Sequence, residues 1–233
     1  MFHFAFFFFL SLPALAGVIA TVETLDPSCG STVTESGEST VSASLTCAGS
    51  SVSASAVFPA FGGEYQLHVE GMKDVNVPSI LAAAEFSDLL MVTGIEGSGF
   101  LRLYLDWTKL EMTIMSPSRI QGSWVSVNGQ QYQSALAYVP FQAGVPFQLE
   151  VSLHGVAGAP DAFLQRGEFD STLTVHILGI SRIAAGMDEN PMYIPGADLV
   201  RIPEPATLML MAVGVLALMW RRWREYTGDA LQF

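Results

Sequence analysis

The chain has 233 residues, of which 50% are hydrophobic and 14% charged, so it is long enough for one globular domain with additional segments. Asp and Glu number 22 against 10 Lys and Arg, and the formal net charge is −12. This balance argues against nucleic-acid binding, because a phosphate-binding surface needs basic residues. Two Cys and four His are too few for a Cys-rich zinc module.

Residues 1–20 have the layout of a secretory signal peptide. The segment from Phe2 to Leu12 is almost continuously apolar, and Pro13 ends it. Two small-residue cleavage sites follow, Ala14-Leu15-Ala16 and Val18-Ile19-Ala20. The basic residues that normally precede such a segment are missing, because only His3 stands there. The alternative interpretation is a buried N-terminal strand.

Two cysteines stand in the next part of the chain. Cys29 and Cys47 are 18 residues apart and enclose a segment rich in Ser, Thr, Gly and Glu. Outside the cytoplasm two cysteines tend to pair, and a disulfide would hold this polar segment against the domain. We therefore predict a Cys29–Cys47 disulfide, with two buried free thiols as the alternative.

Residues 21–200 are predicted to form one all-β domain. Segments in which apolar and polar residues alternate recur along this range, as is typical of strands with one buried face, and Gly and Pro separate them. Asn128-Gly129 is a strong hairpin signal. The predicted strands are Thr40–Leu45, Ser51–Phe58, Tyr65–Glu70, Phe100–Trp107, Gln121–Val127, Gln130–Tyr138, Phe147–His154 and Phe169–Ile177. Many short strands without a helical stripe predict a two-sheet antiparallel sandwich, jelly-roll-like in type.

A three-part segment occupies residues 201–224. Its first part is Pro203-Glu204-Pro205, and the apolar stretch Ala206–Trp220 follows without a charged residue. Arg221, Arg222 and Arg224 come next and indicate the cytoplasmic side of a membrane. The stretch is shorter than the ~20 residues of a typical membrane span, but flanking Trp and Arg side chains extend its usable length. We predict a transmembrane helix here, followed by a cytoplasmic tail at residues 225–233.

This segment resembles the PEP-CTERM sorting domain of exported bacterial proteins. The resemblance rests on the Pro-Glu-Pro motif, the apolar stretch and the Arg cluster, in that order near the C-terminus. It implies a membrane partner, an exosortase, that cuts near the motif after the chain has reached the membrane. The resemblance covers about two dozen residues and does not identify the domain before them. A plain C-terminal anchor is the alternative.

No catalytic residue is predicted, and neither is a cofactor, because the chain has no G-x-S-x-G elbow, no P-loop and no dinucleotide fingerprint. His68, His154 and His176 fall in separate strands and form no local two-His metal face. Asp188, Glu189 and Asn190 are a weak candidate for a calcium site, with a solvated loop as the alternative. The carboxylates that could pair for glycoside hydrolysis are Glu64, Glu70, Glu150 and Glu168. The aromatic residues that could form a platform for sugar rings are Tyr104, Trp107, Trp124 and Tyr132.

Three functional interpretations follow from these features. The favoured one is a non-enzymatic exported protein of the cell surface or extracellular matrix, which resides in the inner membrane during sorting. The second is a carbohydrate- or calcium-binding β-sandwich module, with extracellular polysaccharide as its partner. The third is a secreted hydrolase with a carboxylate site.

Overall fold

A computed structural model of the chain describes residues 17–24, 26, 29, 32–58, 64–111, 121–158, 166–182 and 194–202, with backbone alone at 109–111 and 121. Within these ranges the chain is all-β. The strands are β1 (Gly17–Thr24), β2 (Thr32–Gly37), β3 (Thr40–Cys47), β4 (Ser50–Val57), β5 (Tyr65–Lys73), β6 (Ile80–Thr93), β7 (Ser98–Glu111), β8 (Gln121–Val127), β9 (Gln130–Tyr132), β10 (Leu136–Gln142), β11 (Phe147–Ala157), β12 (Gly167–Ser181) and β13 (Asp198–Arg201). None of the described residues forms a helix long and apolar enough to cross a membrane.

The strands form two antiparallel sheets. Sheet A has the order β2-β1-β6-β11-β8-β9, with β13 also paired to β6, and sheet B has the order β10-β7-β12-β5-β4-β3. Alternate residues of both sheets are buried, and the buried residues of the two sheets form one hydrophobic core. The predicted all-β, two-sheet antiparallel sandwich is therefore confirmed.

The centre of the core shows how closely the two sheets approach each other. The Phe169 side chain of β12 is fully buried. It faces Gly71 of β5 in its own sheet and Gly155 of β11 in the opposite sheet, and a Cβ atom at either glycine would overlap its ring. The two glycines thus make the space that a large aromatic side chain fills.

The long central strand β6 pairs with two different strands along one of its sides. β1 pairs with its first part, from Thr24 opposite Ile80 to Gly17 opposite Ser87. β13 pairs with its last part, and the Ile202 N–H donates to the carbonyl oxygen of Leu89 at 2.8 Å. Two strands from opposite ends of the chain therefore lie end to end along one edge of β6.

The structure modifies the predicted strands at two places. The prediction of one strand at Gln130–Tyr138 is wrong, because β9 pairs with β8 in sheet A and β10 pairs with β7 in sheet B. In addition, β1 begins at Gly17, within the range predicted as a signal peptide. Its Val18 and Ala20 are 1% and 0% exposed, so these residues belong to the core of the sandwich.

Two local predictions are confirmed. Asn128 and Gly129 have positive φ values of 48° and 75° and join β8 to β9 in a tight hairpin. Cys29 and Cys47 form a disulfide with a Cα–Cα distance of 5.6 Å, within the usual range for such bonds. The disulfide attaches the segment before β2 to the end of β3.

Candidate functional site

A cluster of three polar side chains lies inside the sandwich near the end of the folded domain. Asp88 of β6 is 0% exposed and accepts hydrogen bonds through Oδ2 from Arg201 Nε at 2.7 Å and from Tyr65 Oη at 2.9 Å. Arg201 also donates from Nη2 to Tyr65 Oη at 3.0 Å. This group, called here the Asp88 cluster, joins β6 and β13 of sheet A to β5 of sheet B.

Aromatic rings surround the Asp88 cluster. The Tyr65 ring stacks on Phe86 with a centroid distance of 4.2 Å, and Phe58 meets Tyr65 edge to face at 5.3 Å. The Arg201 guanidinium lies 4.4 Å from the centroid of the Phe58 ring, a cation–π geometry. Aromatic rings therefore border the ion pair, and its Asp88 end is shielded from water.

Burial and charge act in opposite directions on the Asp88 carboxyl. Burial raises its pKa above the ordinary 3.8, whereas the Arg201 guanidinium, the Tyr65 hydroxyl and a hydrogen bond from the Leu89 backbone N–H lower it. For Tyr65, burial and then the Asp88 charge raise the pKa to about 12, so its hydroxyl stays protonated and donates at neutral pH. Among the described residues, no hydrogen-bond donor reaches the second carboxylate oxygen, Oδ1 of Asp88.

The Asp88 cluster fixes the point at which the chain leaves the sheet. Arg201 is the last residue of β13, and the backbone hydrogen bonds to β6 continue through Ile202. Pro203 follows directly in the sequence. The last described hydrogen bond of the sheet and the first residue of the Pro-Glu-Pro motif are therefore adjacent in the sequence.

Several predicted residues lie outside the described residues. They are Pro203, Glu204 and Pro205 of the motif, Arg221, Arg222 and Arg224 of the basic cluster, and the weak calcium candidates Asp188, Glu189 and Asn190. The greater part of the predicted signal peptide and the whole predicted transmembrane helix lie outside them as well.

The four aromatic candidates do not form one platform. Trp107 and Tyr132 face the core and line a cavity of about 170 Å³ together with Leu105 and Val125. Tyr104 is 39% exposed on the outer face of sheet B, near His176. Trp124 lies on the outer face of sheet A, stacked on the His154 ring at a centroid distance of 5.0 Å.

The predicted carboxylate candidates are also divided between the two outer faces. Glu64, Glu70 and Glu168 belong to the sheet B side, and Glu150 belongs to sheet A. Glu150 has a carboxylate neighbour that the sequence did not single out, Glu85 of β6. Burial raises the pKa of Glu85, and the negative charge of Glu150 raises it further. This pair shares the outer face of sheet A with Trp124 and His154.

The histidines of the predicted strands, His68, His154 and His176, each contact a polar side chain. His68 Nδ1 lies 3.1 Å from Thr172 Oγ1 on the neighbouring strand, and His176 Nδ1 lies 3.1 Å from Glu64 Oε1. His154 Nε2 lies 3.0 Å from Ser152 Oγ, and burial lowers the pKa of its ring. Each histidine thus has a structural contact and lies on an outer face of the sandwich.

One group among the described residues has the ligand types and spacing of a metal site. It comprises Asp26, Cys29 and Cys47. The two cysteines bind each other in the disulfide, so neither offers the thiolate that a metal requires. The group is therefore part of a covalent crosslink.

The comparisons with known proteins identify one segment of the chain. The family model of the PEP-CTERM protein-sorting motif matches residues 201–224, the same range that the sequence pattern predicts. The match implies an exported protein that an exosortase sorts at the membrane. It begins at Arg201, so the sorting motif and the Asp88 cluster share that residue. No curated protein and no solved structure matches the chain.

Proposed function

We propose that this protein is a non-enzymatic component of the cell surface or extracellular matrix, delivered there through its C-terminal sorting motif. The observation that carries the proposal is that the motif directly follows the last strand of the β-sandwich in the sequence. β13 ends at Arg201, the first residue of the matched segment, and the side chain of that residue binds the buried Asp88 carboxylate. The sorting reaction therefore acts on a chain that is already anchored in a folded domain.

The surface of the sandwich supports a structural role. Facing positions of β3 and β4 are occupied by Ser and Thr, including the pairs Ser42–Ser55, Ser44–Ser53 and Thr46–Ser51. Small hydroxyl side chains keep an outer face soluble, but they do not supply the titratable groups that general acid–base catalysis needs. The disulfide is the kind of crosslink that persists outside the cytoplasm.

A replacement in the motif tests the delivery step. Glu204→Gln in the full-length chain, expressed in a host with an exosortase, should leave unprocessed protein in the membrane fraction. Asp198→Asn is the matched control, because Asp198 is an exposed acid of β13 six positions upstream. Normal processing and surface display of the Glu204→Gln protein would contradict sorting through this motif.

A second candidate function is carbohydrate binding by the outer face of sheet A. There, Trp124 offers a flat aromatic ring, and Ser126 and Ser152 hydroxyls lie 2.5 Å apart beside it. Aromatic rings with adjacent hydroxyl and carboxylate groups suit the apolar face and hydroxyl edge of a sugar. Saturable binding of a polysaccharide that Trp124→Ala abolishes and Tyr104→Ala preserves would favour this function.

The same preparation tests for enzymatic activity. The processed exported protein should release no product from polysaccharides, with or without calcium. Turnover that disappears in Glu85→Gln or Glu150→Gln would overturn the non-enzymatic proposal, because these carboxylates form the acidic pair on that face.

A further inference from the structure

The two ends of the folded domain meet beside Asp88. Gly17 pairs with Ser87, and Ile202 bonds to Leu89, so Asp88 is the residue of β6 between the end of β13 and the start of β1. The signal segment and the sorting segment therefore join the domain at the same position along β6.

The burial of β1 distinguishes the two possible signal cleavage sites. Cleavage after Ala20 would remove half of β1, including the buried Val18 and Ala20. It would also break the backbone pairing of residues 18–20 with β2 and of residues 17–20 with β6. Loss of two buried apolar side chains costs several kcal/mol, a large share of the stability of an ordinary domain. Cleavage after Ala16 leaves the whole strand intact.

Cleavage after Ala16 creates a charged group close to a buried carboxylate. Neighbouring strands are about 4.8 Å apart, and the nitrogen of Gly17 is on the side of that residue nearer to Asp88. Asp88 already binds Arg201 and Tyr65 through Oδ2, whereas its Oδ1 meets no hydrogen-bond donor among the described residues. A buried carboxylate oxygen without a donor carries an uncompensated desolvation cost.

We propose that signal peptidase cuts between Ala16 and Gly17, and that the new Gly17 ammonium binds Asp88 Oδ1. Water adds across the peptide bond: Ala16 keeps the new carboxylate, and the Gly17 amine takes up a proton. One carboxylate then holds both ends of the mature domain, Gly17 through Oδ1 and Arg201 through Oδ2. N-terminal cleavage thereby reinforces the site from which the sorting motif departs. This inference rests on the proposed export of the protein.

The first test is the N-terminal sequence of the exported protein. A start at Gly17 is expected, and a start at Thr21 would overturn the proposal. Retention of the uncut chain inside the cell would contradict export itself, so failure of the proposed function is distinguishable from failure of this inference.

The second test measures the protonation of the Gly17 amine by its rate of labelling with acetic anhydride, followed by mass spectrometry. Three residues of other strands lie next to Asp88: Arg201 of β13, Tyr65 of β5 and Leu149 of β11. The positive charge of Arg201 disfavours an ammonium, Tyr65 stays neutral, and Leu149 is apolar. Protection of the amine therefore points to Asp88. We expect labelling at pH 7 to be about tenfold slower in the wild-type protein than in Asp88→Asn.

Glu85→Gln is the matched control. Glu85 is on the same strand and pairs with Ile19 of β1, but it lies on the outer face of sheet A. Its replacement should leave the labelling rate unchanged. Protection that is lost in Glu85→Gln instead would place the ammonium on the outer face and overturn the proposal. If the Asp88→Asn protein does not accumulate, the wild-type protein alone still tests the proposal. Labelling of its Gly17 amine as fast as that of an exposed N-terminal amine would overturn the proposal.

Discussion

Replacing Arg201 with Met tests how strongly the Asp88 cluster stabilises the end of the domain. Met keeps an unbranched side chain that can pack on Phe58, but it removes the charge and both hydrogen bonds to Asp88 and Tyr65. The fully buried Asp88 carboxylate then retains Tyr65 as its side-chain donor. The variant therefore contains a buried negative charge without a countercharge from β13.

The magnitude follows from the burial of the pair. Removing one partner of a buried ion pair costs about 3–5 kcal/mol. The Arg201 side chain is 22% exposed, so some solvent screening is already present. We expect the lower end of that range, about 3 kcal/mol at pH 7.

The cost should depend on pH in a defined direction. Burial raises the pKa of Asp88, and the loss of Arg201 raises it further. A carboxyl with a higher pKa in the folded state binds its proton more tightly there, so stability falls as pH rises from its unfolded pKa through its folded pKa. The variant should thus be closer to wild type near pH 4, a carboxyl's unfolded pKa, than at pH 7.

Urea unfolding of the exported protein measures this cost, and hydrogen exchange of the Ile202 amide detects local detachment of β13. Arg166→Met is the control, because the Arg166 side chain is 81% exposed and lies 3.9 Å from Asp74, where a near-zero effect is expected. Combining Asp88→Leu with Arg201→Met should cost less than the sum of the single changes. If the two changes cost as much together as the sum of the single changes, the buried ion pair does not couple the two residues. A loss below about 1 kcal/mol in Arg201→Met, with unchanged hydrogen exchange at Ile202, would also refute the stabilising role of Arg201.

Three further changes probe other parts of the fold. Cys47→Ser should lower the unfolding free energy by about 3 kcal/mol, and reduction of the wild-type protein should reproduce that loss in the same assay. Burial lowers the pKa of His154 from 6.5, so its contribution to stability is fully present above pH 6.5 and is lost as the pH falls below that value. His154→Gln should therefore reduce the fall of the melting temperature at acidic pH. An equal reduction in His176→Gln would argue against assigning the effect to His154. Gly155→Ala should cost about 1–3 kcal/mol by crowding Phe169, and an unchanged melting temperature would show that the ring has room to move.

The local features of the chain could be predicted because each depends on neighbouring residues. Period-two alternation predicted most strands, and Asn128-Gly129 predicted the hairpin because those residues tolerate positive φ. The range of the sorting segment, residues 201–224, was predicted from an ordered motif, apolar stretch and basic cluster. The Cys29–Cys47 pairing followed because the chain has two cysteines.

Some strands were concealed by their composition or position. β1 begins among the apolar residues that end the predicted signal segment, so its buried face could not be separated from that hydrophobic run. The first part of β6 contains Ala82, Ala83 and Ala84, whose small side chains hide the alternation. Ala83 is buried on the outer face because Thr21 and His154 flank it, a contact that exists only after the strands pair.

The sequence by itself determined that the chain has a β-rich domain followed by a sorting motif, because strand patterns and membrane signals depend on residues that are adjacent in the sequence. The tertiary structure decided where that motif is attached. Asp88 and Arg201 are 113 positions apart, and no local pattern relates them. They meet because β13 pairs with the last part of β6, while β1 pairs with the first part. Pairing between distant strands, rather than residue type, brings a buried carboxylate to both ends of the domain.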